Sequence, residues 1–343
     1  MGFRKIRIGQ IGIGHNHASE MMAAFRKLSG LFEVVGIVEE SETWWSQRGH
    51  LACYEGIPRM KKEELFAVPG LEAVAVEEDV PRLTEIAMEC AGKNLHIHMD
   101  KPGPETLAPF RELLCECEKR KLVLQMGYMY RSNQGFQFLQ KILKKGYLGE
   151  IFEIHAVMNR YDGKNPAYRK WLSQFKGGAV YIFSGHLIDL VVAILGRPCK
   201  VTPFLTRTRK EEELIDTGVA VLEYPGCIAT VRSGVTEVDG FSHRKLIVNG
   251  TEGSFAFEPL EAPGKYDTVP LSCRLTFLKD NEEFKAGTHE INLGVIPGRY
   301  DEELSNFAKI IRGEMENPYS YEHDLIVHEA LLLAGGYGKE SCV

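Results

Sequence analysis

Short apolar runs alternate with longer amphipathic stretches through the first 126 residues. The runs Ile6–Ile11, Glu33–Val38, Ala73–Val76, Leu95–Met99 and Leu122–Met126 are apolar and β-branched, which predicts strands buried on both faces. Between them, Ala18–Ser29 sets Met21, Met22, Phe25 and Leu28 on one stripe and stops at Gly30. Thr106–Arg120 carries Leu107, Phe110, Leu113, Leu114 and Cys117 at helical spacing, behind an extended entry set by Pro102 and Pro104. Strands alternating with helices in this way predict an α/β unit, a doubly wound parallel sheet with crossover helices.

The texture changes after Met126. Gln134–Lys145 reads as a helix, Ile151–Met158 as a strand, and Tyr161 to Leu195 as a loop and helix rich in Tyr, Gly and Trp. From Val201 to about Leu293 the chain is mostly strand-like, with turns at Pro225-Gly226, Asn249-Gly250 and Pro263-Gly264. Helical segments near Asp301–Arg312 and Tyr321–Leu333 close it. The second domain is therefore expected to be α+β, built on a large, mostly antiparallel open sheet. Residues 1–126 and 127–343 are the expected domains, joined by a short connection near 125–130.

Composition narrows the function classes. At 343 residues the chain is too long for one typical core. With 41 basic against 47 acidic residues, the net charge of −6 argues against nucleic acid or an anionic membrane as partner. No apolar run spans a bilayer; Leu187–Leu195 is the nearest and Asp189 interrupts it. Arg4 and Lys5 lead straight into a strand with no leader-like core, so a cytoplasmic protein is expected. The eight cysteines form no C-x-x-C pair and read as reduced thiols, with Cys90 and Cys199 as core positions and Cys342 at the tail.

Chemistry concentrates at strand ends. Gly12-Ile13-Gly14-His15-Asn16 follows the first strand and precedes the first helix, a turn that lets backbone approach a pyrophosphate beneath a helix N-terminus. His17 stands where the usual fingerprint has a third glycine. Glu39, after the second strand, lies where an acid grips ribose hydroxyls and repels a 2′-phosphate; with no Lys or Arg in the next few residues, NAD is expected over NADP. Lys101 ends the fourth strand, where it can donate to a substrate hydroxyl and stabilise a developing alkoxide.

These features, with Asp100-Lys101-Pro102, Gly127 to Arg131, Lys145 to Ile151, Gly177-Gly178, Gly185 to Asp189 and Asn249 to Gly253, resemble the glucose–fructose oxidoreductase/inositol dehydrogenase/MocA family over nearly the whole chain. The resemblance implies a Rossmann domain followed by an α+β domain that holds substrate and builds homodimers or homotetramers. It implies that Lys101 touches both nicotinamide and reacting hydroxyl, and that His186 is the acid/base or a hydroxyl partner. Two departures stand out. Ile182 replaces the family's Asp four residues before His186, and Glu78-Asp79-Val80-Pro81 replaces a Thr-Pro-Asn type loop beside the cofactor.

Tyr161, Lys164 and Asp189 join Lys101 and His186 as expected substrate contacts, because aromatic and polar side chains suit a polyol or sugar ring. His15-x-His17 and His96-x-His98 would make a metal conceivable if the pairs met at the strand ends, but the reading assigns none. Trp44 and Trp45 read as packing residues, and His323-Asp324 as a helix surface. The expected function is hydride transfer between a nicotinamide and a secondary alcohol of a small polar substrate: a sugar, cyclitol or sugar acid. Two alternatives stay open: an NAD-dependent redox-cycling lyase or glycosidase, and a non-catalytic NAD- or sugar-binding regulator.

Overall fold

Five apolar strands make a parallel sheet in the computed structural model, which describes residues 4–338 and 341. In chain order these are β1 (Ile6–Ile11), β2 (Phe32–Val38), β3 (Ala73–Val76), β4 (His96–Met99) and β5 (Leu124–Met126), with helices α1 (Ala18–Lys27), α2 (Glu42–Arg48), α3 (Lys62–Phe66), α4 (Leu83–Gly92) and α5 (Leu107–Arg120) between them. The sheet order β2-β1-β3-β4-β5 reverses direction at β1, so the crevice outside the carboxyl ends of β1 and β3 is the topological switch point where such sheets bind ligands. Register sharpens this. Ile11 pairs with Val76 and Val76 with Met99, so the residues that follow, Gly12, Glu77 and Asp100, emerge side by side at one sheet edge. β3 is wholly buried, as its unbroken Ala-Val-Ala-Val run requires.

The chain divides into two units, Met1–Tyr128 with Tyr300–Leu325, and Met129–Arg299 with Ile326–Val343. This differs from the expected single cut, because a late helix returns to the first unit. Amphipathicity tells that such a helix buries one face but not in which core.

The second unit opens with α6 (Gln134–Lys144), β6 (Ile151–Asn159), α7 (Pro166–Leu172), α8 (Gly178–Phe183) and α9 (Gly185–Leu195). Then follow β7 (Lys200–Thr206), β8 (Thr217–Tyr224), β9 (Cys227–Gly234), β10 (Lys245–Gly250), β11 (Gly253–Phe257), β12 (Leu271–Phe277) and β13 (Gly287–Gly294). They join β6 in an eight-stranded sheet ordered β13-β12-β11-β10-β6-β9-β8-β7, antiparallel except where β6 meets β9. Alternation decides its faces: in β9, Cys227, Ala229 and Val231 are buried beneath α8 and α9, whereas Ile228 and Arg232 are exposed. Of the closing helices, α10 (Asp301–Ile311) packs in the first unit, and α11 (Tyr321–Ala334) begins in the first and ends in the second.

Three smaller expectations are corrected. Cys199 is exposed rather than core, Asp324 is buried rather than on a helix surface, and the Tyr161–Leu195 stretch holds three helices, because Gly177-Gly178 and Ser184-Gly185 break it. The described cysteines, Cys90 among them in the core, are free; Cys342 lies outside the described residues.

Candidate active site

The glycine loop is built by its backbone bonds. Gly12 has φ +86°, and a Cβ there would come within 2.5 Å of the Glu78 backbone, so only glycine fits. Its N–H donates to Val38 O at 2.8 Å, the Ile13 N–H to Glu39 Oε2 at 2.8 Å, and the His15 N–H to Glu77 O at 3.0 Å. Arg48 Nη1 donates to the carbonyl oxygens of Ile13, Gly14 and His15 at 2.9, 2.9 and 2.6 Å. With these carbonyls tied to Arg48, the N–H groups of Gly14 and Asn16 have no partner among the described residues. α1 starts just beyond and lacks a side-chain cap, so its positive end is open to an anion. The loop therefore fits a dinucleotide's pyrophosphate. Arg48 was missed by sequence reasoning, which had no cue linking it to the loop.

Glu39 does more than expected. Its two oxygens accept the N–H groups of Ile13 and Ser41 at 2.8 and 2.7 Å, so it braces the loop as well as ending β2. The expected lack of nearby cations holds only locally: Arg59, from beyond α2, donates to Glu39 O at 2.8 Å and is held by Glu42 Oε1 at 2.6 Å and by the Trp45 ring. Trp44 and Trp45 pack against the small core of Ile13, Ala18, Met22, Ile37 and Tyr54, as expected of packing residues. Of the acids after β3, Asp79 turns away to bond the Val80 N–H at 3.1 Å, whereas Glu78 lies against Gly12. Burial, followed by the Glu39 charge, pushes the Glu78 carboxyl up to about 7.

Beside the loop lies Lys101, only 3% exposed at the end of β4. Its N–H donates to Asp100 Oδ1 at 2.6 Å. Asp100 Oδ2 faces His15 Nδ1 and His17 Nδ1, each at 2.9 Å. Burial pushes the His17 imidazole down to about 4, against the pull of Asp100, so the ring is neutral at pH 7. Glu77, fully buried, holds its carboxyl well above the usual range, by burial and then by the Asp100 charge. The two His-x-His pairs do not meet as units. His96 Nδ1 accepts the Val123 N–H at 2.9 Å, and His98 points to Glu303 at 3.5 Å and to Glu77 at 4.0 Å. Glu77 went unnoticed in the sequence, although its place after β3 matches that of Asp100 after β4.

The remaining expected residues are in the second unit. His186 is 1% exposed in the first turn of α9, with its ring 5.6 Å from that of Tyr130. Asp189, expected to touch substrate, is instead committed to Arg131: Arg131 Nε donates to its oxygens at 3.0 and 3.1 Å, and Nη2 at 2.6 Å. One helical turn from His186, this buried pair sets the rotation of α9 and hence of the imidazole. Tyr161 and Lys164 are exposed on the loop after β6, where Arg209 ties down Gly163 O at 2.9 Å. Ile182 is buried in α8, a packing residue where the resemblance leads one to expect an acid.

Comparison with known proteins adds a lineage. Residues 136–256 match the model of the GFO/IDH/MocA C-terminal domain. An uncharacterized oxidoreductase of Escherichia coli K12 is 26% identical over 79% of this chain and 80% of its own length. An NADP(+)-dependent scyllo-inositol 2-dehydrogenase of Bacillus subtilis 168 is 25% identical over 56% of this chain and 53% of its own. Among solved structures, an oxidoreductase of Desulfitobacterium hafniense shares the fold, with TM-score 0.81 at 19% identity over 98% of this chain and 96% of that one.

Proposed function

We propose that this chain, which belongs to the GFO/IDH/MocA oxidoreductase family, is an NAD-dependent dehydrogenase of a secondary alcohol in a small sugar, cyclitol or sugar acid. One observation carries the reading: the Gly14 and Asn16 N–H groups are left open at the start of α1, with Lys101 in the same unit at the end of β4. Relatives that are inositol dehydrogenases support the substrate class. Bound there, a nicotinamide would accept or return the hydride. The chain's own part is to orient and to manage charge. Gly12 to Asn16 receive the pyrophosphate, the Glu39 carboxylate braces the loop and takes the ribose hydroxyls, and Lys101 donates to the reacting oxygen. His186, turned by the Arg131–Asp189 pair, is assigned the hydroxyl proton, and Tyr161 and Lys164 are assigned the far side of the substrate.

Glu39 at the end of β2, with Glu42 neutralising Arg59, supports NAD over its 2′-phosphorylated form. Among the described residues no helix is long and apolar enough to cross a membrane. Free cysteines accord with a reducing cytoplasm. Ile228 and Phe204, 54% and 60% exposed on the eight-stranded sheet, are the proposed contact face of a homodimer or homotetramer.

Lys101→Ala decides the catalytic assignment. Turnover on the best substrate of a sugar, cyclitol and acid panel should fall about 10²- to 10⁴-fold, while NAD affinity measured by calorimetry changes little. Near-normal turnover defeats the assignment. NAD retained with no net NADH on any substrate would favour the redox-cycling lyase, and NAD binding with no turnover at all the regulator.

A further inference from the structure

Six titratable side chains meet toward the carboxyl edge of the parallel sheet, and none of the side chains is given a part in the hydride transfer, although the His15 backbone belongs to the pyrophosphate loop: His15, His17, Glu77, His98, Asp100 and Glu303. We propose that His15, His17 and Asp100, closed by Glu77, bind a zinc-like divalent cation that ties the glycine loop to the ends of β3 and β4.

Geometry comes first. The donor atoms of His15, His17 and Asp100 all lie within 4.8 Å of one another. Asp100 Oδ2 stands 2.9 Å from both imidazole Nδ1 atoms, and Glu77 Oε2 stands 3.8 Å from that of His15. Ligands of a tetrahedral zinc, each about 2.0–2.1 Å from the metal, are separated by about 3.3 Å. The two 2.9 Å spacings are close to that value, so a cation seats against His15, His17 and Asp100, and Glu77, outside their 4.8 Å cluster, must turn in to complete the site.

Hydrogen bonding gives a second argument. His15 Nδ1 stands 2.9 Å from Asp100 Oδ2 and only at the long distance of 3.3 Å from the His17 backbone N–H. An imidazole nitrogen has one in-plane lone pair, so a cation seated between His15 and Asp100 takes that lone pair and releases the weak N–H contact.

Glu77 supplies a third. It is 0% exposed, and its oxygens accept no hydrogen bond from a described residue; its hydrogen-bonding neighbour is the Asp100 carboxylate. Two buried acids set against each other are costly, and a cation between them removes that cost. Imidazole with carboxylate suits zinc better than magnesium or calcium, which take oxygen ligands.

The proposal does not depend on the dehydrogenase reading, and its test reads no activity. Chelator-treated full-length protein is titrated with Co²⁺ while the visible d–d band of four-coordinate cobalt is followed. One Co²⁺ per chain, a band bleached by Zn²⁺, and a melting temperature raised by Zn²⁺ are expected; His15→Ala and His17→Ala should each abolish the band and the rise. Wild-type protein that is folded by circular dichroism yet shows neither band nor rise overturns the proposal. So does a band that persists in both histidine variants. Because the wild-type titration stands alone, a variant that fails to fold does not rescue the idea.

Discussion

Two sets of buried carboxylates are partnered differently. In the second unit each meets arginine: Asp189 is clasped by Arg131, and Glu261 by Arg244, with the hydroxyls of Tyr130 and Tyr266 donating at 2.7 and 2.8 Å. Burial pushes the Glu261 carboxyl up, but the charges of Arg299 and Arg244 and the two tyrosines together bring it down to about 2. In the first unit, Glu77, Asp100 and Glu303 lie among histidines, and Glu77 is pushed up instead. Arginine satisfies a carboxylate within the fold, so such pairs hold helices and strands in place. Histidine leaves donor atoms that a ligand or metal can use. The contrast separates scaffold from candidate site without reference to lineage.

The largest effect should come from breaking a scaffold pair. Arg131→Ala removes the guanidinium that clasps the buried Asp189 carboxylate, and is expected to cost about 3–5 kcal/mol in urea unfolding. The double variant Arg131→Met, Asp189→Leu should recover most of that loss, because the penalty belongs to the carboxylate that has lost its arginine. If the single variant is as stable as wild type, this pair is not what orients α9.

How much of this was legible beforehand depends on the range of the interaction. The parallel strands were readable because burial on both faces leaves continuous apolar runs, and four of the five lie within one residue of their predicted limits at both ends: Ile6–Ile11, Phe32–Val38, Ala73–Val76 and His96–Met99. The glycine loop was readable because its chemistry lies between adjacent elements. The expectations for Lys101 and His186 came from resemblance, and they fall in separate units. Nothing local pairs Arg131 with Asp189, sends Tyr300–Leu325 back to the first unit, or brings Arg48 to the loop carbonyls; those contacts follow from tertiary packing. Glu77 was hidden differently. It reads as one of three acids in a row, and only the register of β3 against β4 sets it beside Asp100.

The second effect concerns acid. Because the folded pKa of Glu261 is depressed to about 2, its contribution is present above the usual carboxylate value and is lost as pH falls toward 2. From pH 6 to pH 2.5 the wild-type protein should therefore lose stability more steeply than Glu261→Gln, with the gap between the two closing by on the order of 3 kcal/mol. Parallel slopes would mean that the arginines do not hold this carboxylate ionised, and the contrast between the units would lose one side.

The smallest effect probes the first unit from the ligand side. Glu78 lies against Gly12, where a pyrophosphate would pass, and its partial charge near neutral pH opposes that anion. Glu78→Gln keeps the shape and removes the charge, so NAD should bind up to about fivefold more tightly, corresponding to roughly 1 kcal/mol for one partly screened charge. Calorimetry at pH 8, where Glu78 is mostly ionised, gives the widest contrast. The direction matters more than the size: removing Glu261 can only injure the scaffold, whereas removing Glu78 should improve a binding site. Weaker NAD binding in Glu78→Gln would mean that Glu78 supports the loop as a structural acid, and the anion would then have to approach by way of Gly14 and Asn16 alone.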